Sequence, residues 1–245
     1  MTVGDYLDAL EALPFGTVGD LTGGAPFLVL SPHPDDETLG CGGLLALAGR
    51  AGIEGHVMIL TDGAASHRNS PSHPPERLTA LRRDEAERAA AELGLPEDRL
   101  GFLALRDAAT PSEGPAFDAA VDAIVARAEA TDVRTLFVTW GRDPHCDHET
   151  AFAMARAAAA RLGAALYAYP VWGLHLPRGD AFDEPDPRGY RLDIAEARDD
   201  KRRAIDRYPS QMTRMIDDDP DAFCFTAEQL APFLGAVETF IEVRT

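Results

Sequence analysis

Phe27-Leu28-Val29-Leu30-Ser31-Pro32-His33-Pro34-Asp35-Asp36-Glu37 is the stretch that decides the fold. Its first four residues are apolar without alternation, the pattern of a strand covered on both faces rather than one with a wet side. A polar loop with prolines on either side of His33 follows, and residues 39–51 then carry a helical pattern. The same unit recurs down the chain. Strands are predicted at residues 56–61, 100–104, 135–140 and 164–171, and helices at 76–93, 117–130 and 147–162, with Gly94 and Gly163 as stop signals. Strands alternating with long helices make βαβ units, so the expected fold is a three-layer α/β/α sandwich around a mostly parallel sheet. Such sheets bind ligands at the carboxyl ends of their strands. The informative loops are therefore those after Leu30, Leu60, Ala104 and Trp140.

Outward from that core the signals weaken. Residues 1–26 read as a short amphipathic helix over 3–13 and a Gly-rich connector. Residues 27–171 carry the α/β core. Residues 172–245 hold a Pro/Gly/Asp-rich loop over 173–189, a charged helix over 195–208 and a terminal strand near 240–243. All 245 residues are read as a single domain, and 45% hydrophobic residues suffice for its core. A formal net charge of −18 argues against nucleic acid and anionic membrane surfaces as partners. No segment approaches the roughly 20 apolar residues of a membrane span. The N-terminus lacks the basic and apolar regions of a signal peptide. Three widely spaced cysteines, Cys41, Cys146 and Cys224, point to a reducing, cytoplasmic setting rather than a disulfide scaffold. No feature of the sequence sets the oligomeric state.

Two of the four loops carry the chemistry. The first offers His33, Asp35 and Asp36; the fourth, residues 141–149, offers His145, Asp147 and His148 beside a helix start. Three nitrogen or oxygen ligands with an open fourth position describe a catalytic zinc site. Taken singly, each residue has a plainer reading: Asp35 or Asp36 as the cap of the helix near Glu37, Asp147 as the cap of the next, a strand-end histidine as ordinary surface. Their joint placement at one sheet edge favours the site.

At these residues the chain resembles the PIG-L/LmbE-like family of zinc-dependent N-deacetylases. Pro32-His33-Pro34-Asp35-Asp36-Glu37 matches the family's A/P-H-P-D-D-E signature in full. His145-Cys146-Asp147-His148 matches its H-P-D-H signature with Cys146 in place of proline, and Thr61-Asp62-Gly63 matches its T-D-G turn with Ala64 where Glu often follows. Arg82 and Glu85 fit the R-x-x-E of the next helix, and Lys201, Ala204, Tyr208, Ser210 and Gln211 resemble its late K-x-x-A…Y-x-S-Q stretch. The resemblance spans about residues 27–211. It implies a Rossmann-like, LmbE-type fold and one Zn2+ per chain, or another divalent metal such as Fe2+, held by His33, Asp36 and His148. It implies Asp35 as general base and His145 as general acid or oxyanion stabiliser, with Asp147 orienting and charging that ring. Arg82 and Asp107 are implied as substrate contacts at the pocket rim. The implied reaction removes an acyl group, acetyl in the first instance, from the amine of an N-acetylglucosamine-type sugar or sugar conjugate.

Other readings stay open. The acceptor is a sugar or a non-sugar N-acyl small molecule. A two-histidine, one-carboxylate set also serves iron oxygenases, whose usual all-β scaffold disagrees with the βα alternation here. A sugar-binding module without catalysis gains nothing from the presence of Asp35. Substrate choice is assigned to loops 62–76, 106–116 and 173–189. His67 and His73 either line the cleft or sit in a solvated loop, Trp172 and His175 either stack on a sugar or pack beneath a loop, and Cys146 is a conceivable soft ligand.

Overall fold

The computed structural model describes residues 1–244. In chain order it contains α1 (Val3–Glu11), β1 (Phe15–Gly16), α2 (Val18–Thr22), β2 (Phe27–Ser31), α3 (Asp36–Arg50), β3 (Gly55–Thr61), α4 (Pro75–Glu92), β4 (Leu100–Leu105) and α5 (Gly114–Ala130). There follow β5 (Thr135–Thr139), α6 (Cys146–Leu162), β6 (Ala165–Tyr169), β7 (Gly189–Asp193), α7 (Arg198–Ile205), α8 (Pro209–Met212), α9 (Ala227–Leu230) and β8 (Val237–Glu242). The strands form one sheet in the order β1-β7-β8-β6-β5-β2-β3-β4. Only β8 runs antiparallel to its neighbours, β6 and β7.

The uninterrupted apolar run of β2 has its explanation in the layers. Successive side chains point to opposite faces of a strand. Phe27 and Val29 enter a core with Leu39, Leu44, Ala86 and Ala204, under α3, α4 and α7. Leu28 and Leu30 enter the opposite core with Ile124, Val125, Met154 and Ala158, under α5 and α6. Gly40 lets α3 lie against β6: a Cβ there would stand 2.0 Å from the Tyr169 ring. The chain leaves β2 toward β3 and β4, then returns to β5 on the other side of β2. That reversal opens a crevice beyond the carboxyl ends of β2 and β5, where doubly wound sheets bind ligands. Both chemistry-bearing loops emerge there.

The expected architecture holds, with local corrections. The connector at 14–26 contains β1 and α2, and a capping box in which Thr17 accepts from the Asp20 N–H starts that helix. α3 begins at Asp36 rather than residue 39, so the metal-motif carboxylates lie at its first turn. The loop expected over 173–189 ends in β7, and the helix expected over 195–208 is helical as α7 only over Arg198–Ile205, with α8 following. These pieces are too short to show a period, and β7 owes its existence to pairing with β1 and β8. No helix among the described residues is long and apolar enough to cross a membrane.

Candidate metal centre

The loop after β2 is braced from within. The buried Glu37 carboxylate accepts hydrogen bonds from Ser31 Oγ at 2.9 Å, Thr38 Oγ1 at 2.8 Å, the Asp35 N–H at 3.2 Å and the Tyr208 hydroxyl. Asp35 needs such support, because its backbone has φ 154° and ψ −31°. A non-glycine residue there costs of order 1–3 kcal/mol and persists only when its surroundings over-determine it. Asp35 occupies the N-cap position of α3 yet its side chain caps nothing. Its Oδ2 instead meets Arg82 Nη2 at 3.1 Å, and the same guanidinium donates to the carbonyls of Pro34 and Gly63. Gly63, at φ 66°, leaves room for that arginine; a Cβ would sit 3.0 Å from Arg82 Cδ and Nη1. Strain therefore turns Asp35 toward Arg82 and leaves Asp36 to face the other way.

The loop after β5 is braced by a different carboxylate. Asp143, wholly buried, accepts from the Val171 N–H at 3.1 Å and the Gly173 N–H at 2.7 Å, and its Oδ2 lies 2.9 Å from His148 Nδ1. Asp147 Oδ2 lies 3.1 Å from His33 Nε2 and accepts from the Ala108 N–H, while its Oδ1 accepts from Thr110 Oγ1 at 2.7 Å. Asp107 Oδ1 also stands 3.2 Å from His33 Nε2. The cap of α6 is His145, whose Nδ1 accepts the Asp147 N–H at 3.2 Å.

These contacts fix which nitrogens carry protons when the rings are neutral. Asp107 and Asp147 hold the proton of His33 on Nε2, and Asp143 holds that of His148 on Nδ1. The lone pairs of His33 Nδ1 and His148 Nε2 then face Asp36 Oδ2, 3.2 Å from each. His148 Nε2 is buried and lacks a hydrogen bond of proper geometry despite that approach. Three acceptor atoms converging on one point repel unless a cation lies between them. The donor set suits a divalent ion of the zinc type, and His33, His145 and His148 also bring ligand atoms within 4.8 Å of one another. Without a metal, protons must do the same work. Burial opposes charging His33, yet Asp107, Asp147 and Asp36 together raise its pKa well above the usual imidazole value. For His148 burial is again outweighed, by Asp36 and Asp143, and the ring is pushed up to about 9.

The electrostatics of the two remaining groups differ. Burial raises the Asp35 carboxyl, Arg82 pulls it down and the Asp36 charge pushes it up again, leaving it at about 8. Burial and the neighbouring His33 and His148 charges lower His145 to about 4. Asp147 favours the charged ring, as expected, but in the metal-free protein burial and the two other imidazoles outweigh it. Its carboxylate lies 3.9 Å from Nδ1 and is also engaged by His33, Ala108 and Thr110; because Nδ1 accepts the Asp147 N–H, a neutral His145 carries its proton on Nε2.

Residues 28–159, more than half the chain, match the GlcNAc-PI de-N-acetylase family, PIG-L. The chain belongs to the PIG-L family. No curated protein matches it significantly. Among solved structures, it is similar to a triple mutant of a deacetylase of the teicoplanin biosynthetic pathway, with TM-score 0.66 and 21% identity over 90% of this chain and 98% of that one. It is similar to N,N'-diacetylchitobiose deacetylase from Pyrococcus horikoshii, with TM-score 0.63 and 20% identity over 89% and 83%. It is equally similar to 4-carboxy-2-hydroxymuconate hydratase from Pseudomonas putida, with TM-score 0.66 and 19% identity over 90% and 97%. At such identities the likeness establishes the fold, and the hydratase shows that this fold does not choose one reaction.

In this PIG-L chain the centre opens into a cavity of about 500 Å³. Arg82 and Asp107 line it, but neither stands at the rim as expected. Arg82 is 2% exposed beneath Asp35, and Asp107 is held between His33 and the Ala65 N–H. Loop 62–74 contributes Ala65, Ser66, Arg68 and Asn69 to the wall, and Trp172 also lines it. Residues 173–189 contribute nothing; their place is taken by 219–225, which the sequence reading left unassigned. His67, His73 and His175 are absent from the wall, and His67 is buried with its ring against Ser66 Oγ. Asp143 was missed as well, although a carboxylate five residues before a candidate ligand is a usable signal.

Proposed function

We propose that this chain, as one catalytic unit over residues 1–245, is a zinc-dependent N-deacetylase acting on an N-acetylglucosamine-type sugar or conjugate. The observation that carries the reading is the convergence of His33 Nδ1, His148 Nε2 and Asp36 Oδ2, with Asp35 beside them. Family membership and the deacetylases of similar fold support it. A zinc ion held by His33, Asp36 and His148 supplies Lewis-acid polarisation of the amide carbonyl and acidifies the attacking water.

The chain's own residues do the rest. Asp35 Oδ2 is engaged by Arg82, so Oδ1 accepts the proton of the attacking water. His145, neutral with its proton on Nε2, donates a hydrogen bond to the oxyanion as it develops. As the C–N bond breaks, the leaving amine needs a proton. Asp35, which has just received one from the attacking water, returns it to the amine. Acetate and free amine are the products. The deciding test is acetate release by zinc-loaded protein from a panel of N-acetyl amino sugars, with and without chelator. Release that persists after complete metal removal, or release only from acetylated peptides or polyamines, overturns the assignment.

A further inference from the structure

The outer half of the cavity carries features that acetyl transfer to water does not use. Trp172 stacks on Phe225 at 5.2 Å and 3°, and Phe223 stands across both, at 87° to Trp172 and 84° to Phe225. Trp172 and Phe223 are half-buried and line the cavity with the metal-centre residues. On the same wall lies Asp221, exposed, with no hydrogen bond or ion pair to its carboxylate among the described residues. The wall holds five carboxylates against two guanidinium groups, and one of those, Arg82, is committed beneath Asp35. Of the two guanidinium groups, Arg68 is the one left free to meet an anion on the outer wall. At physiological ionic strength charges are screened over about 8 Å, so this local balance decides rather than the net charge of the whole chain.

We propose that Trp172 and Phe223 form a subsite for an uncharged or cationic ring attached to the N-acyl sugar, and that Asp221 disfavours acceptors bearing phosphate there. The proposal rests on the deacetylase reading and narrows it. The family takes its description from a phosphoinositol-linked sugar; this chain puts aromatic side chains and an unpartnered carboxylate, rather than further cations, on the outer wall of the cavity. An apolar ring gains by covering the half-buried indole and phenyl faces, and a cationic one gains further from the ring quadrupoles and from Asp221.

The experiment compares three probes with the same reacting group: methyl, phenyl and 1-phosphate derivatives of N-acetylglucosamine. Acetate release gives kcat/KM for each. Binding to metal-free protein is followed by the fluorescence of Trp172, the other of the two tryptophans, Trp140, being buried against Tyr6. The phenyl glycoside is expected to exceed the methyl glycoside by about tenfold, the scale of one good aromatic contact. Phe223→Ala should bring that ratio toward one. The phosphate should fall below the methyl glycoside, and Asp221→Lys, at an exposed position, should narrow or reverse that order. Equal phenyl and methyl values, or a phosphate that wins through Arg68 and loses its advantage in Arg68→Ala, overturn the subsite. If no probe releases acetate, the catalytic reading fails alone, and the same ratios read from fluorescence still decide the subsite.

Discussion

The floor and the rim of the cavity are built in opposite ways. On the floor, each candidate ligand and acid–base side chain lies within nine residues of a strand end, and a buried carboxylate fixes each loop: Glu37 after β2, Asp143 after β5. The rim is made of two segments more than a hundred residues apart, 62–74 and 211–226. They are tied by Ser70 Oγ and the Ser72 N–H to Asp218, the Asn69 N–H to Asp219, the Phe223 N–H to the Ser66 carbonyl, and Gln211 to Ser66 Oγ. The floor holds its geometry by burial, where a lost partner leaves an unsatisfied charge. The rim holds its geometry by half-exposed hydrogen bonds, which water can replace. Chemistry and selectivity should therefore fail separately.

The largest effect should come from the floor. His33→Ala or His148→Ala is expected to abolish both zinc retention and turnover; full metal occupancy by elemental analysis in both variants would remove these residues as ligands. Next, Asp35→Asn should keep the metal while kcat drops about 10²-fold or more, the range for a general base. Near-normal turnover would take Asp35 out of the mechanism.

Asp143→Asn tests whether the brace matters as much as the ligand. Loss of the carboxylate behind His148 should weaken zinc binding by about 10–100-fold in a chelator competition, with the fold retained. Unchanged affinity would make Asp143 a packing residue only.

Proton linkage sharpens the same contrast. His148 rises from 6.5 to about 9 in the folded metal-free protein, so its stabilisation is full below about 6.5 and lost as pH rises through 9. Asp35 rises from 3.8 to about 8; it ionises more easily when unfolded, so stability again falls as pH rises across that window. The melting temperature of metal-free protein should therefore drop between pH 6.5 and 9, while zinc-loaded protein, its ligand protons displaced, should drop less. A metal-free Tm that climbs with pH contradicts the convergence argument.

The smallest effect belongs to the rim. Asp218 accepts from Ser70 and Ser72, which hold its carboxyl down to about 2. Asp218→Asn should raise KM a few-fold on the preferred substrate and leave kcat, zinc affinity and Tm nearly unchanged. A loss of zinc in that variant would show floor and rim to be one unit.

How much was legible in the sequence follows the same division. Continuous apolar runs such as residues 27–30 and 136–138 point to strands buried on both faces, and the helices between them to a parallel sheet covered on both sides. The loops at the ends of those strands follow directly, so His33, Asp35, Asp36, His145, Asp147 and His148 were all within reach of a reading by position. Tertiary structure alone decided the rest. The helical period puts Arg82 on the buried face of α4 with Leu78, Glu85 and Ala89, but only packing sets its guanidinium beneath Asp35, with the Gly63 and Pro34 carbonyls as acceptors. In the metal-free protein the His145 pKa is lowered by burial and by two other charged imidazoles, a sum over side chains from distant parts of the chain. The rim belongs to 219–225 because Asp218 and Asp219 find loop 62–74 in space. Local sequence specifies hydrophobic period and turn chemistry; the partner of a polar group is settled only when the chain is packed, because a charge responds to whatever lies within a few ångströms, whatever its place in the sequence.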